Sequence, residues 1–461
     1  MKTTLLSLFC VLFCSCLSRA ADVPDQRPSI VLFMSDDHGV DDSGAYGDTY
    51  VQTPSIDRLT RQGMQFTRAF AASPLCSPSR CVVATGLMPY RNGGHKFGTP
   101  IKPGLRTMPM YLKELGYQTV HVGKFHHAPR KQFPYDMVIK DEHAAPAFVT
   151  ECAVAKPLFL VVCDHCPHTP WEKNKIYDPA KIALPPNFVD TPQTRRLRAD
   201  YYTEVTQADR LLGQVLDALD ERGWQNNTIV LYTSDQGANW PFAKWCLYDG
   251  GIRVPLVVRW PGKVKPGSVT GAMVSLADLL PTLIEAAGGS SPNDLDGRSF
   301  LPVLTGERDE HRRVIFATHT GNDNGGPGIA NHCPARAIRT ATHKYILNLR
   351  PERTFTTHIT GCRPGSPHYL AFWDSWVEKA KTDEHAARLV DEYMHRPAEE
   401  LYDLEEDPYE RRNLAGDSSH AGLLRSLREQ LAQFRSQQGE PELSWRLPSP
   451  TGDTAPETGI R

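Results

Sequence analysis

Four short apolar runs constrain this chain more than any other feature, because each ends in charged or imidazole side chains. Residues 28–34 (P-S-I-V-L-F-M) lead into Ser35-Asp36-Asp37-His38-Gly39, and 117–123 (Y-Q-T-V-H-V-G) into Lys124-Phe125-His126-His127. Residues 157–163 (P-L-F-L-V-V-C) lead into Asp164-His165-Cys166-Pro167-His168, and 228–234 (T-I-V-L-Y-T-S) into Asp235-Gln236-Gly237. A short continuous apolar run fits a strand buried on both faces, as in a parallel sheet covered by helices. Polar groups just past such a strand lie where open α/β sheets bind ligands. Adjacent carboxylates such as Asp36-Asp37 are costly there unless solvated, paired or metal-bound. The plainer reading, a solvated turn with a helix-capping Asp, accounts for one such end but does not require four.

Helical patterns fall between the runs. Thr53-Pro54-Ser55 opens an amphipathic helix that Gly63 closes, 79–87 reads as a buried helix, and 107–115 as another capped by Gly116. Residues 196–222 carry Val205, Ala208, Leu211, Leu212, Val215 and Leu219 at helical spacing. Residues 64–70 and 254–260 read as further strands, and 276–287 as a helix. The Pro-rich, polar stretch 169–195 suits a surface loop beside a site. After about residue 306 the segments 314–318, 335–340 and 343–349 alternate, and a helix pattern follows around 420–436. The expected fold is α/β: a large, mainly parallel sheet sandwiched by helices over residues 22–306, then a smaller C-terminal α+β domain with an antiparallel sheet over 307–446.

The ends of the chain differ from the rest. Lys2, an apolar run and Ser18-Arg19-Ala20-Ala21 read as a secretory signal peptide over 1–21, cleaved after Ala20 or Ala21. A lipid anchor on Cys14 or Cys16 is a second reading, with a poorer match of the small residues before the Cys. The run is too short to span a bilayer, and no other stretch is long and apolar enough. Residues 447–461 are Pro-, Thr-, Gly- and Glu-rich without periodicity, and are expected to be disordered. The net charge of −2 gives no case for a nucleic acid or an anionic membrane as partner. Eight cysteines remain after the signal segment, and export permits disulfides among them. Cys163-x-x-Cys166 has the spacing of a redox pair or half a zinc site, but no second pair matches it.

Residues 73–86 (S-P-L-C-S-P-S-R-C-V-V-A-T-G) place Cys76 near a helix start with Arg80 four positions on. That is an electropositive setting for a thiol, although a structural or disulfide-bonded Cys is an equally good local reading. In a doubly wound sheet the four polar strand ends share one rim. Asp36, Asp37, Asp235 and the Gln236 amide oxygen would then form an all-oxygen site suited to Ca²⁺ or Mg²⁺. Arg80, Lys124, His126, His168 and Lys244 would face it. A metal and several cations around one nucleophile can hold a tetrahedral oxyanion and stabilise its transfer.

C-S-P-S-R followed by C-V-V-A-T-G resembles the type I sulfatase signature, Cys-x-Pro-Ser-Arg with a downstream Thr-Gly. The Asp36-Asp37 strand end, Gly123-Lys124-x-His126, Pro167-His168 and T-S-D-x-G at 233–237 follow in family order, and the resemblance spans roughly 28–445. S-G-A-Y at 43–46, the block 335–349 and E-L-Y-D-L-E-E-D-P-Y-E-R-R-N-L-A look most similar to the heparan N-sulfatases, or sulfamidases. The resemblance implies an alkaline-phosphatase-like sulfatase fold. It also implies that a formylglycine-generating enzyme oxidises Cys76 to formylglycine (3-oxoalanine), whose hydrate, a gem-diol, attacks sulfur. By the same matching Arg80 would hold the diol, and Asp36, Asp37, Asp235 and Gln236 would bind one Ca²⁺. Lys124 and His168 would contact the sulfate, and Lys244 with His168 would sit near the leaving atom. His126 would assist release of sulfate, and His38 is added to the substrate-binding set.

The implied activity is hydrolysis of O- or N-linked sulfate from a sulfated mono- or oligosaccharide by an exported enzyme, acting on N-sulfoglucosamine in the closest subgroup. The alternatives are a phosphate or phosphonate monoester hydrolase of the same superfamily, or a non-catalytic glycan-binding homologue. Two residues depart from the pattern. Gln236 stands where the family usually has Asn, sometimes His, and Lys244 where the N-sulfatase subgroup has Arg.

Overall fold

Side chains of β1 (Ser29–Ser35) alternate between two apolar layers, which is why its sequence shows no polar face. Val31 and Phe33 pack with Leu211, Leu212, Val215 and Leu219 of the 30-residue helix Pro192–Glu221. Ile30, Leu32 and Met34 pack on the opposite face with Val83, Leu279, Leu280 and Leu283. Each fully buried Leu or Val contributes about 1.5–3 kcal/mol of burial free energy, so both layers anchor the strand. The computed structural model describes residues 27–153, 156–321, 332–362, 364–366 and 369–441. The expected signal peptide (1–21) and tail (447–461) lie outside the described residues.

The sheet also contains β2 (Met64–Phe70), β3 (Gln118–Gly123), β4 (Met137–Ile139), β5 (Leu158–Cys163) and β6 (Thr228–Ser234). Its remaining strands are β7 (Arg253–Arg259), β8 (Ser268–Thr270) and β9 (Val274–Ser275). The order is β4-β3-β5-β1-β6-β7-β2-β8, with β9 also beside β2. Strands β4, β3, β5, β1 and β6 run parallel to one another, whereas β7 is antiparallel to both β6 and β2.

Register then places the four polar ends. Met34 pairs with Cys163, Cys163 with Gly123, and Ser35 with Ser234, so all four chains leave the sheet on one level. The Lys124 N–H donates to the Cys163 carbonyl at 2.9 Å, and the Asp235 N–H to the Ser35 carbonyl at 3.2 Å. Gly123 is required at this edge. Its φ is +88°, and a Cβ there would stand 2.1 Å from the Cys163 carbonyl oxygen.

A second, antiparallel sheet is built from β10 (Ile315–His319), β11 (Ala335–Arg339), β12 (His343–Asn348) and β13 (Glu399–Asp403). Leu424, Leu427 and Leu431 of the helix Ala421–Gln437 cover one face against Ile338, Tyr345 and Leu401. The other face joins a core that continues through Tyr393 and Trp376 to Trp240 and Tyr201 of the larger part. Among the described residues no helix is long and apolar enough to cross a membrane.

A buried ion cluster ties His311 and Arg312, shortly before β10, to the turn that follows β9. The Asp278 carboxylate accepts from Arg312 Nε at 2.7 Å and lies 3.0 Å from His311 Nε2. Burial works against its ionisation, but Arg312 and His311 outweigh it and hold the carboxyl far below its ordinary value. Its stabilisation is therefore complete above the ordinary carboxylate range and is lost as the pH falls toward the depressed folded value. Asp278→Asn is expected to cost about 3–5 kcal/mol at neutral pH, since it leaves Arg312 without its carboxylate, and to lose less at acid pH. Urea unfolding at pH 7 and pH 3 reads both, and equal losses at the two pH values would refute the assignment.

Candidate active site

Residue 76 opens the helix Cys76–Thr85, with Leu75 extended before it and Gly86 left-handed after it. All ten residues of this helix are buried. The helix starts three residues before the sequence expectation, because Pro78 fits within a first turn where its missing N–H costs nothing. Ser79 Oγ donates to the Asp235 carbonyl at 2.5 Å and fixes the helix to the end of β6.

Arg80 sits 1% exposed between two strand ends. Its Nε donates to Asp235 Oδ2 at 2.7 Å, its Nη1 to the Lys124 carbonyl at 3.3 Å, and its Nη2 lies 3.5 Å from Asp36 Oδ2. Lys124 forms an ion pair with Asp36, and Lys244 Nζ lies 2.7 Å from the Asp37 carboxylate. Asp37 has a left-handed φ of 68°, and its N–H donates to Asp235 Oδ1 at 3.3 Å. His168 Nδ1 faces the Thr169 carbonyl at 2.5 Å, which places the proton on Nδ1 and the lone pair on Nε2, 4.0 Å from Asp37 Oδ2. Three buried carboxylates thus meet three cations, and Asp36, Asp37 and His168 offer ligand atoms within 4.8 Å of one another.

Burial opposes ionisation of Asp36, but Lys124, with Arg80 and Lys244, outweighs it and holds this carboxyl well below the usual range. Asp37 and Asp235 are pushed up to about 7 and about 6 by burial and by the neighbouring carboxylates. A divalent cation is the group that relieves such repulsion, and the free donors fit one. Asp36 Oδ1 and Gln236 Oε1 are buried without a hydrogen-bond donor, whereas Asp36 Oδ2 faces Lys124 and Arg80. Gln236 spans the extra methylene by donating Nε2 to Asp37 Oδ1, which leaves Oε1 for another partner. The donor set is oxygen-rich, as a hard cation requires.

Cys76 has the electropositive setting that the sequence suggests, with Lys124 and Lys244 acting on it. Burial outweighs Lys124 and Lys244 and pushes the thiol up to about 11, so the electropositive setting does not make a thiolate. His126 has a φ of 33° and stacks edge-on with Phe97 at 5.2 Å. Burial, with Lys124 and Arg80 adding to it, lowers it to about 3, so it is a neutral base. His38 requires a correction. It is fully buried, with Nδ1 2.6 Å from the Tyr232 hydroxyl and Nε2 2.9 Å from the Asp42 carbonyl, so no face remains for substrate. It braces the loop that carries Asp37. Cys163 and Cys166 are free thiols, and Cys166 Sγ lies 2.9 Å from Glu204 Oε2.

Two supports escaped the sequence reading. Asn239 bridges Thr169, next to His168, and His358 Nε2 at 2.8 Å. That contact spans 119 positions, so no local pattern announces it. His168 groups with Asp36 and Asp37 as a third ligand-bearing side chain, whereas the sequence reading kept it out of the metal-ligand set.

A family model described as Sulfatase matches residues 28–150 and 135–290. The chain belongs to the sulfatase family. A second model, described as N-sulphoglucosamine sulphohydrolase, C-terminal, matches residues 237–353 of the sulfatase. A ulvan-active sulfatase of Formosa agariphila is 29% identical over 428 residues, which cover 90% of this chain and 81% of the relative. Human N-sulphoglucosamine sulphohydrolase is 30% identical over 471 residues, covering 90% and 91%. A solved structure in complex with its substrate D-glucosamine-2-N,6-O-disulfate shares the fold, with a TM-score of 0.70 at 20% identity over 90% of this chain and 99% of that one. Family membership makes this sulfatase a sulfuric ester hydrolase or sulfamidase.

Proposed function

We propose that this sulfatase is exported and removes O- or N-linked sulfate from a sulfated carbohydrate, with residue 76 as formylglycine and one calcium ion. The convergence of three carboxylates and three cations beside residue 76 carries this reading. The names of two relatives, ulvan-active sulfatase and N-sulphoglucosamine sulphohydrolase, support a sulfated glycan as substrate. Asp36, Asp37, Asp235 and Gln236 would hold calcium, with His168 beside them. Bound calcium adds two positive charges, and formylglycine supplies a hydroxyl nucleophile that a buried thiol does not.

The remaining roles fall to this chain's own residues. Lys124 and Lys244 offset the negative charge that otherwise repels a nucleophile from sulfate. Arg80 orients residue 76 through its anchoring on Asp235 and Asp36. Lys244 is held protonated because Asp37 outweighs the cost of its burial, and it offers positive charge at the leaving atom. His168 is neutral without substrate, chiefly through burial with Lys244 adding to it. A sulfate oxygen near Nε2 favours protonation there, and His168 then donates to the substrate. Neutral His126 accepts the proton that accompanies sulfate release.

The test is sulfate release from N-, 2-O-, 3-O- and 6-O-sulfated glucosamine and from sulfated disaccharides, with peptide mass spectrometry at residue 76. Faster turnover of phosphate than of sulfate monoesters would overturn the assignment, as would an unmodified thiol in protein co-produced with the modifying enzyme. Calcium is tested separately. Raising free calcium to about 100 times its dissociation constant is expected to stabilise the protein by about 2.7 kcal/mol, and a chelator to reverse it. A melting temperature indifferent to both would exclude the ion.

A further inference from the structure

His168 and Lys244, the side chains placed near the leaving atom, come from different loops, and one residue between β12 and β13 reaches the supports of both. His358 opens the short helix His358–Gly361, which Thr357 caps by accepting from the Ile359 N–H at 3.2 Å. The Thr357 hydroxyl also lies 3.3 Å from the hydroxyl of Tyr393, a member of the core shared with the larger part. The backbone at His358 is therefore fixed before its ring meets the site. The ring is 8% exposed. Its Nε2 lies 2.8 Å from Asn239 Oδ1, and Asn239 Nδ2 donates to Thr169 Oγ1 at 3.4 Å. An amide held this way accepts from His358, which places a proton on Nε2. Thr169 in turn supplies the carbonyl that faces His168 Nδ1. Asn239 and Thr169 are both buried, so solvent does not replace either partner.

The same ring packs on Trp245, with centroids 5.4 Å apart. Trp245 follows Lys244 in a strained turn, since Phe242 and Trp245 have left-handed φ values of 62° and 76°. Such a backbone is costly for a bulky residue and persists where its surroundings impose it. Here the Trp245 N–H donates to the Pro74 carbonyl at 3.1 Å, and the Lys244 N–H to the Ala238 carbonyl at 2.9 Å. We infer that His358 is a positioning residue for the leaving-group end of the site. Through Asn239 and Thr169 it orients His168, and through Trp245 it steadies Lys244. This role rests on those given above to His168 and Lys244. Its consequence is selective. A proton donor and a cation at the leaving atom matter most for a poor leaving group, such as a sugar hydroxyl or amine. A nitrophenolate departs without a proton and gains little from either.

His358→Gln and His358→Asn test this, because the Gln amide nitrogen reaches the place of Nε2 and the Asn amide nitrogen stops short of it. The substrates are the sugar sulfate turned over fastest in the panel above and para-nitrophenyl sulfate. In His358→Asn, kcat is expected to fall about tenfold on the sugar sulfate, part of the roughly 100-fold or more that a placed proton donor supplies, and about threefold or less on the aryl sulfate. KM should stay within about threefold of the parent, and His358→Gln should recover most of the lost kcat. Thr169→Val breaks the last link while keeping the shape of the side chain, so it should repeat the Asn pattern even if His358→Asn does not fold. Nitrogen NMR of the His168 ring should show the Nδ1-protonated tautomer in the parent and both tautomers in Thr169→Val. Equal losses on the two esters, a raised KM at unchanged kcat, no recovery in His358→Gln, or an unaltered His168 ring in Thr169→Val would each overturn the positioning role. A parent that turns over no sugar sulfate refutes the proposed function instead, and the ring NMR then decides the positioning role by itself.

Discussion

Replacing Cys76 by alanine is expected to abolish sulfate release while leaving the protein folded. Sulfate release should fall by about 10⁴-fold or more, the scale seen when a covalent nucleophile is deleted. The cost in stability should be about 1 kcal/mol or less, since one buried sulfur is lost from a helix held by other contacts. Those contacts are the Ser79 bond to Asp235 and the Arg80 ion pairs, which the substitution does not touch. A second outcome follows from burial. The unmodified thiol is pushed up to about 11, so protein made without the modifying enzyme should resist alkylation at neutral pH and show no turnover. Sulfate assays, melting temperature and alkylation followed by mass spectrometry read the three effects. Residual turnover in Cys76→Ala above a tenth of the parent would remove residue 76 from the chemistry.

The rim was legible in the sequence because it follows from two local facts: apolar runs fix where strands end, and parallel register brings those ends level. Asp36, Lys124, His168 and Asp235 needed nothing more than this. The direction of β7 was not legible, since an apolar run such as Val254–Val258 reads the same in a parallel or antiparallel pair. The helices Phe372–Lys379 and Glu384–Met394 also went unread. Their buried side chains, Trp376 and Tyr393 among them, complete a core whose other half lies more than a hundred residues earlier, so the local pattern is only half an interface. His38 was misplaced for a related reason. Its neighbours in sequence are site residues, but its ring points to Tyr232 inside the sheet. At Cys76 the motif shows only Arg80 four positions on, whereas the burial that raises the thiol is a tertiary property. The departure at Gln236 was visible in the sequence, but only the structure shows that its amide latches Asp37 and leaves one oxygen without a donor.

Arg80→Met should unsettle the site more than any other substitution at the rim. Arg80 is 1% exposed and shares its charge between Asp235 and Asp36, both fully buried. Methionine keeps much of the volume but leaves two carboxylates with one cation fewer, a loss of about 3–5 kcal/mol for a broken buried pair. The sign of the pH dependence follows from the carboxylates. Asp235 is already pushed up to about 6 with Arg80 present, and removing the guanidinium raises it further. Below that value Asp235 is protonated and needs no partner, so the penalty should be largest above pH 7 and shrink as the pH falls through about 6. Calcium should return part of the loss by supplying charge to the same oxygens. Arg80→Lys should fall between parent and methionine variant, because an ammonium carries the charge but cannot reach Asp235, Asp36 and the Lys124 carbonyl together. Denaturant unfolding at pH 5.5 and 7.5, with and without calcium, separates these terms. A penalty that grows toward acid pH would mean that Arg80 acts through packing, and the ion-pair account of the rim would have to be abandoned.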